Sequence, residues 1–267
     1  MTSARLGGRD FLVCFPRETK RRIFNLTKAP PLAKPINRPL TKHLEMYFLD
    51  RADAGRLLAG ELIRLRDARD LIVLALPRGG VPVGYEIARE LHAPLDVFVV
   101  RKLGVPGREE LAMGALASGG VRVLNSDVVS ALGWHAEEAI EQATKRESEE
   151  IRRREERYRG NRPFPNLSGK VVVLVDDGLA TGATMRAAAR AVRQRQPARL
   201  IIAVPVAAES TCRDMRPEAD EVVCAFTPEP FFGVGQFYEN FSQTTDEEVR
   251  ALLAGAETGA KVEPPNE

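Results

Sequence analysis

Two adjacent carboxylates, Asp176 and Asp177, directly follow the apolar run Val171–Val175 in the stretch KVVVLVDDGLATGATM (170–185). The loop behind them is nearly bare. Gly178 and Gly182 lack a Cβ, so the backbone there can adopt conformations and close approaches that other residues forbid. The loop runs straight into a segment of helical character, TMRAAARAVRQRQ. Successive N–H groups and the positive helix end can therefore converge on one anion. Thr181 and Thr184 add hydroxyl donors. This is how a chain cradles a phosphate. A Gly-x-x-x-x-Gly-Lys-Ser/Thr loop would need a lysine, and Ala183–Thr184 supplies none. Adjacent aspartates also differ from the Asp-x-Asp start of haloacid-type phosphatases. Two carboxylates repel a phosphate, but they accept hydrogen bonds from vicinal hydroxyls on a sugar attached to it. A ribose 5-phosphate fits both halves of the stretch.

The elements that must aim these residues follow from the apolar pattern. Asp50 to Leu65 places Ala54, Leu57, Leu58, Leu62 and Leu65 on one helical face. LIVLAL (71–76) is short and wholly apolar, as a strand covered on both faces requires. PRGG then makes a loop, and VPVGYEIAREL (81–91) resumes helical spacing. PLDVFVVRK (94–102) reads as a second strand, LGVPGREE as a polar loop, and LAMGALASGGVRVLN as a hairpin turning at Gly119–Gly120. Residues 134–159 form a long charged helix in which the arginines at 152–154 pair with glutamates a turn away. KVVVLV (170–175), RLIIAVPVA (199–207) and EVVCAF (221–226) are further strands, with a short helix between the last two. Thr245 to Glu248 is a capping box opening the last helix. Strands alternating with helices predict an α/β fold with a central, mostly parallel sheet flanked by helices. Ligands of such sheets bind at the carboxyl ends of strands, where PRGG, VRKLG and DDGLATGAT all fall.

With those three segments in place, VVLVDDGLATGAT resembles the signature of type I phosphoribosyltransferases, and the resemblance spans roughly residues 50–225. It implies that family's fold, with a helical and hairpin insertion or hood. It also implies that Asp176 and Asp177 hold the ribose hydroxyls of phosphoribosyl pyrophosphate. Ala180, Thr181, Gly182, Ala183 and Thr184 would hold its 5′-phosphate. Pro77, Arg78, Gly79 and Gly80 look like the pyrophosphate loop. VVRKLGVPG is similar to the strand end and mobile loop of adenine-type members, so Arg101 and Lys102 would neutralise the departing diphosphate. About Leu103 to Ala112 would then close over the site. The implied reaction transfers the phosphoribosyl group to an unidentified, nucleobase-like acceptor and releases pyrophosphate. Mg²⁺ would be bound mainly through the substrate, with no metal ligand assigned to the protein. Hypoxanthine-type members carry an acid where this chain has Ala180, whereas adenine-type members also carry alanine. The acceptor's hood has two candidate sources, the 103–160 region or the aromatic tail TPEPFFGVGQFYENFSQ (227–243). The rival reading is a phosphoribosyl pyrophosphate-sensing regulator without turnover.

Composition narrows the partners. The net charge of +2 favours neither nucleic acid nor membrane, and no apolar run approaches the length of a membrane span. Residues 1–45 hold ten Lys/Arg against three Asp/Glu, in a proline-broken segment without a helical or strand period. They read as a disordered basic extension, with Met46 as an alternative start, a phosphoribosyltransferase domain over 46–254 (insertion 103–169), and a tail over 255–267. Cys14, Cys212 and Cys224 form no close pair in sequence, which points to a reducing cytoplasm. His43, His92 and His135 are scattered. A homodimer is compatible with all of this.

Overall fold

A computed structural model of the chain describes residues 48–258. The expected basic extension, the alternative start at Met46 and the end of the tail lie outside the described residues. Helix α1 (Arg51–Glu61) begins where the Asp50 carboxylate accepts the Asp53 N–H at 2.7 Å, an ordinary N-cap. There follow β1 (Leu71–Ala75), α2 (Gly80–Leu91), β2 (Leu95–Val97), β3 (Val100–Val105), β4 (Arg108–Ala117) and β5 (Val121–Leu124). Then come α3 (Ser126–Leu132), α4 (Ala136–Arg159), β6 (Val171–Val175), α5 (Ala183–Arg193) and β7 (Arg199–Val206). The chain closes with α6 (Glu209–Met215), β8 (Glu221–Phe226) and α7 (Asp246–Thr258). The capping box is present, with Thr245 Oγ1 accepting the Glu248 N–H at 3.1 Å.

Five strands make one wholly parallel sheet in the order β2-β1-β6-β7-β8. The apolar runs that predicted β1 and β6 are buried on both faces, as a parallel sheet between helices requires. One core layer joins the sheet to side chains of α1, α2 and α7, among them Leu58, Ile87 and Leu253. The opposite layer joins it to α5 through Met185, Ala188 and Val192, and to Met215 of α6. Among the strands of this sheet, β1 neighbours both β2 and β6. The chain thus winds outward in opposite directions from β1, and the crevice between β1 and β6 is the topological switch point where such sheets bind ligands.

Two expectations about the strands are corrected. The strand expected over 94–102 is two strands in two sheets. Phe98 N–H still donates to Ala75 O at 2.9 Å, but Val99 exchanges bonds with the buried Ser118 instead, through Val99 N to Ser118 Oγ (2.9 Å) and Ser118 N to Val99 O (2.8 Å). The continuous apolar run VFVV hides that switch. The segment expected as a polar loop is a hairpin, because β3 and β4 pair around Pro106–Gly107 and, with β5, form a second, antiparallel sheet. Leu103, Val105 and Met113 pack beneath Ile140, Ala143 and Ile151 of α4, which supplies the apolar cover that the local sequence does not announce. The turn expected at Gly119–Gly120 joins β4 to β5, with both glycines at positive φ.

The long charged helix is α4, and its arginines do pair locally: Arg152 with Glu156, and Arg153 and Arg154 with Glu150. Its end is tied more firmly. The Arg159 side chain is 3% exposed and gives Nε to both Asp96 oxygens (3.0 and 3.1 Å) and Nη2 to Val97 O (3.0 Å). Without Asp96 this buried charge would keep only its longer carboxylate contact with Glu155, at 3.4 Å. Asp96→Ala is therefore expected to cost about 3–5 kcal/mol, read from urea unfolding midpoints.

Cys212 of α6 and Cys224 of β8, twelve residues apart, form a disulfide with Cα atoms 6.5 Å apart. The expectation of no close pair is corrected, since α6 returns the chain alongside β8. Among the described residues no helix is long and apolar enough to cross a membrane.

Candidate functional site

Leu76 N–H donates to Val175 O at 2.8 Å, so the two switch-point loops leave the sheet side by side. Asp176 and Asp177 emerge from β6 directly against Gly79 and Gly80, which enter α2. A Cβ on Gly79 would lie 2.0 Å from Asp177 Oδ2, and one on Gly80 would lie 2.7 Å from Val175 O. The Pro77–Arg78 peptide is cis. The PRGG and DDGLATGAT segments are thus brought together as expected.

The acid pair is half-buried. Burial pushes Asp176 well above the usual carboxylate range, and the charge of Asp177 pushes it further, against the Asp177 N–H bond to Asp176 Oδ1 (2.9 Å). Asp177 is also raised by burial, and a hydrogen bond and charge from Arg51 pull it back. The Tyr238 hydroxyl donates to Asp177 O at 2.6 Å, and burial raises that phenol so far that it stays neutral.

Beyond the acids, Leu179 N–H is fixed to Val206 O at 2.9 Å, and the loop then runs exposed through Ala180 and Thr181. Gly182 takes φ +71°, the left-handed conformation glycine tolerates, and caps α5, leaving Ala183 and Thr184 exposed at the helix start. Helix α6 supports the loop from behind. Thr211 Oγ1 donates to Ala180 O at 2.8 Å, and a Cβ on Gly182 would meet Met215 at 2.9 Å. A cleft of about 550 Å³ opens in front, lined by Thr181, Ala183 and Thr184 on one side and by Lys102, Ala115 and Val123 on the other.

The basic residues expected to face a diphosphate are engaged elsewhere. Arg78 Nη1 lies 3.9 Å from Asp246 at the start of α7, a carboxylate also held by Tyr158 (2.6 Å) and Arg157 (2.8 Å). Arg101 donates to Glu147 of α4 at 2.9 Å, and Lys102 lies 3.4 Å from Glu110 across the hairpin. Lys102 borders the phosphate-loop cleft, whereas Arg101, Lys102, Glu109, Glu110 and Glu147 line a second cleft of about 390 Å³. Of the two candidate hoods, the tail lies on the acids: a Cβ on Gly178 would meet Val234 at 2.6 Å. The β3–β5 sheet instead forms the far wall of the phosphate-loop cleft. Sequence reasoning missed Arg51 and Thr211, whose partners lie 126 and 31 residues away, while Tyr238, in the tail offered as a hood, reaches its partner across 61 residues. Asp50 as a helix cap marks where Arg51 sits, but nothing local marks its target.

A bare loop at a helix start, a half-buried acid pair and a diglycine loop meet at one switch point of an α/β protein. Over residues 48–236 the chain matches the phosphoribosyl transferase domain family, and it belongs to that family. A protein of known crystal structure, TT1426 from Thermus thermophilus, is 45% identical, with a TM-score of 0.69 over 78% of this chain and 98% of that one. Two Mycobacterium tuberculosis proteins, "Putative phosphoribosyl transferase MT0597" and "Putative phosphoribosyl transferase Rv0571c", are each 50% identical over 207 residues. That match takes in 77% of this chain and 46% of theirs, so the chain spans about half the length of these relatives.

Proposed function

We propose that the protein binds Mg²⁺–phosphoribosyl pyrophosphate and transfers its phosphoribosyl group to a nucleobase-like nitrogen acceptor. The observation that carries this reading is the contact of the half-buried acid pair with the diglycine loop beside an exposed loop at a helix start. In this reading Asp176 and Asp177 accept hydrogen bonds from the ribose 2′- and 3′-hydroxyls. Backbone N–H groups of Ala180–Thr184 and the hydroxyls of Thr181 and Thr184 take the 5′-phosphate. The Pro77–Gly80 loop offers its N–H groups to the diphosphate. The acceptor nitrogen forms a bond to the anomeric carbon as the carbon–oxygen bond to diphosphate breaks. Pyrophosphate leaves with the electron pair, and the acceptor's proton passes to solvent. The transition state is close to an oxocarbenium ion, so the protein's task is to orient the ribose and stabilise the leaving charge. Arg101 and Lys102 would serve that end once released from Glu147 and Glu110.

Among the described residues no three acidic, histidine or cysteine side chains gather as a metal cage. Mg²⁺, a hard cation, would bring its oxygen ligands mainly with the substrate, and no protein ligand is assigned to it. When bound it would supply Lewis-acid stabilisation of the diphosphate. The same reading places the protein in the cytoplasm, where the Cys212–Cys224 disulfide would be open to reduction.

Saturable heat on titrating phosphoribosyl pyrophosphate with Mg²⁺ into the protein is the expected result, and its absence overturns the proposal. The ion pairs on Arg101 and Lys102 favour a second reading, a sensor that binds the donor without turnover. Pyrophosphate release across a panel of bases and amines decides between them: release with any acceptor establishes the transferase.

A further inference from the structure

Arg51 is the first residue of α1, yet its side chain ends on the acid pair. Its Nε donates to Asp177 Oδ2 at 2.8 Å and its Nη1 to Ser242 O at 2.7 Å. The guanidinium carbon stands 4.0 Å above the centre of the Phe241 ring, and that ring packs on Tyr238 at 5.0 Å. Tyr238 in turn donates its hydroxyl to the Asp177 carbonyl. Two routes from the 237–242 strap therefore close on one residue, one through its side chain and one through its backbone. The strap is anchored to the chain just before α1, through Phe48 N to Phe237 O (2.8 Å), Glu239 N to Phe48 O (2.8 Å) and Asn240 N to Leu49 O (2.9 Å). Arg51 and Asp177 are 12% and 15% exposed in their side chains, so water screens their attraction only weakly.

We propose that Arg51, seated under the strap by Phe241 and Ser242, is a positioning residue that keeps the Asp177 carboxylate ionised and turned so that Oδ1 faces the ligand. This rests on the reading of Asp177 as a ribose ligand. Oδ2 is walled in by Gly79, whose missing Cβ would lie 2.0 Å away, and is taken by Arg51. Oδ1 is the oxygen this arrangement leaves to a sugar hydroxyl. A protonated Asp177 would lose acceptor strength, and burial pushes it that way. Every charged or titratable group around it has a defined sense. Asp176, the preceding residue after β6, carries a like charge, Tyr238 on the strap is neutral, and Arg51 is the cation that answers them. Arginine suits the task because one planar group reaches the carboxylate, the Ser242 carbonyl and the Phe241 face together.

The test compares unsubstituted protein with Arg51→Met and Arg51→Lys. Carbon-13 NMR of the aspartate carboxyls, recorded without ligand, follows the apparent titration of the Asp176–Asp177 pair. Arg51→Met is expected to move it up by about one unit or more, since an adjacent opposite charge lowers a carboxylate by that order. Its affinity for Mg²⁺–phosphoribosyl pyrophosphate should fall about tenfold on the acid side of that titration and recover as the pH rises through it. Arg51→Lys should keep the titration near that of the unsubstituted protein. A folded Arg51→Met protein, by circular dichroism, with unchanged titration overturns the proposal. So does an Arg51→Lys titration as displaced as that of the methionine variant. The NMR arm needs no donor, so failure of the unsubstituted protein to bind phosphoribosyl pyrophosphate counts against the proposed function alone.

Discussion

Asp176→Asn is expected to weaken Mg²⁺–phosphoribosyl pyrophosphate binding by about 10- to 150-fold while raising the melting temperature. The first effect follows from replacing a charged hydrogen-bond acceptor, worth about 1.5–3 kcal/mol in such contacts, by a neutral one. The second follows from linkage. Burial and the neighbouring Asp177 raise the folded-state pKa of Asp176 well above that of an unfolded aspartate. The folded chain therefore binds this proton more tightly than the unfolded chain, and stability falls as pH rises from about 4 through the folded-state value. Above about pH 4 the unfolded chain gains from ionising this group while the folded site resists it, and asparagine removes that penalty. It also keeps a side-chain oxygen for the Asp177 N–H, so the loop's local bond survives. Calorimetric titration and a thermal melt on one sample check both halves. Weaker binding together with a lower melting temperature would mean structural damage and would remove the support this variant gives to a ribose role. Asp177→Asn behaves differently, because it leaves Arg51 without its carboxylate. The double substitution should abolish binding altogether.

How much of this was legible in the sequence depended on range. The strand before Asp176 is announced by consecutive apolar residues, and the loop after Asp177 by residues too small to do anything but expose backbone. Both signals are local, and the structure places them at the switch point that alternating strands and helices imply. The β3–β4 hairpin was illegible because its tip, Pro106 to Leu111, is polar or exposed and shows no alternation; only α4, folded across it, gives Leu103 and Met113 a side to bury. The break between β2 and β3 was hidden because Phe98 and Val99 are buried in different core layers, which one apolar run cannot distinguish. The targets of Arg51 and Tyr238 were hidden for a further reason. Each sits in a local pattern already accounted for, a helix start and an aromatic loop, and their partner is fixed only by tertiary packing.

Gly80→Ala is the substitution expected to do the most damage with the fewest atoms. Sequence reading credits the diglycine with open N–H groups, and the structure adds a requirement of space. A Cβ at position 80 would lie 2.7 Å from Val175 O and 2.9 Å from Asp176 Cα, both backbone atoms at the end of a central strand. Neither can swing aside as a side chain would. The methyl group must push β6 away from the start of α2, and overpacking of this kind costs about 1–3 kcal/mol. Because the displaced atoms carry the acid pair, binding of the donor should fall with stability, by more than about tenfold given how steeply such contacts depend on geometry. Gly60→Ala is the control. Gly60 lies inside α1 with nothing within 4 Å of the place a methyl group would take, and alanine there should stabilise the helix by about 0.5–1 kcal/mol without touching the site. Urea unfolding and calorimetric titration of both variants separate the two effects. Gly79 sharpens the same point, since its backbone is ordinary right-handed helix (φ −59°, ψ −33°), which any residue adopts. What excludes a side chain there is the Asp177 carboxylate itself. The two glycines are the other half of the acid pair's socket, and a chain that lost them could keep both aspartates and still be unable to aim them.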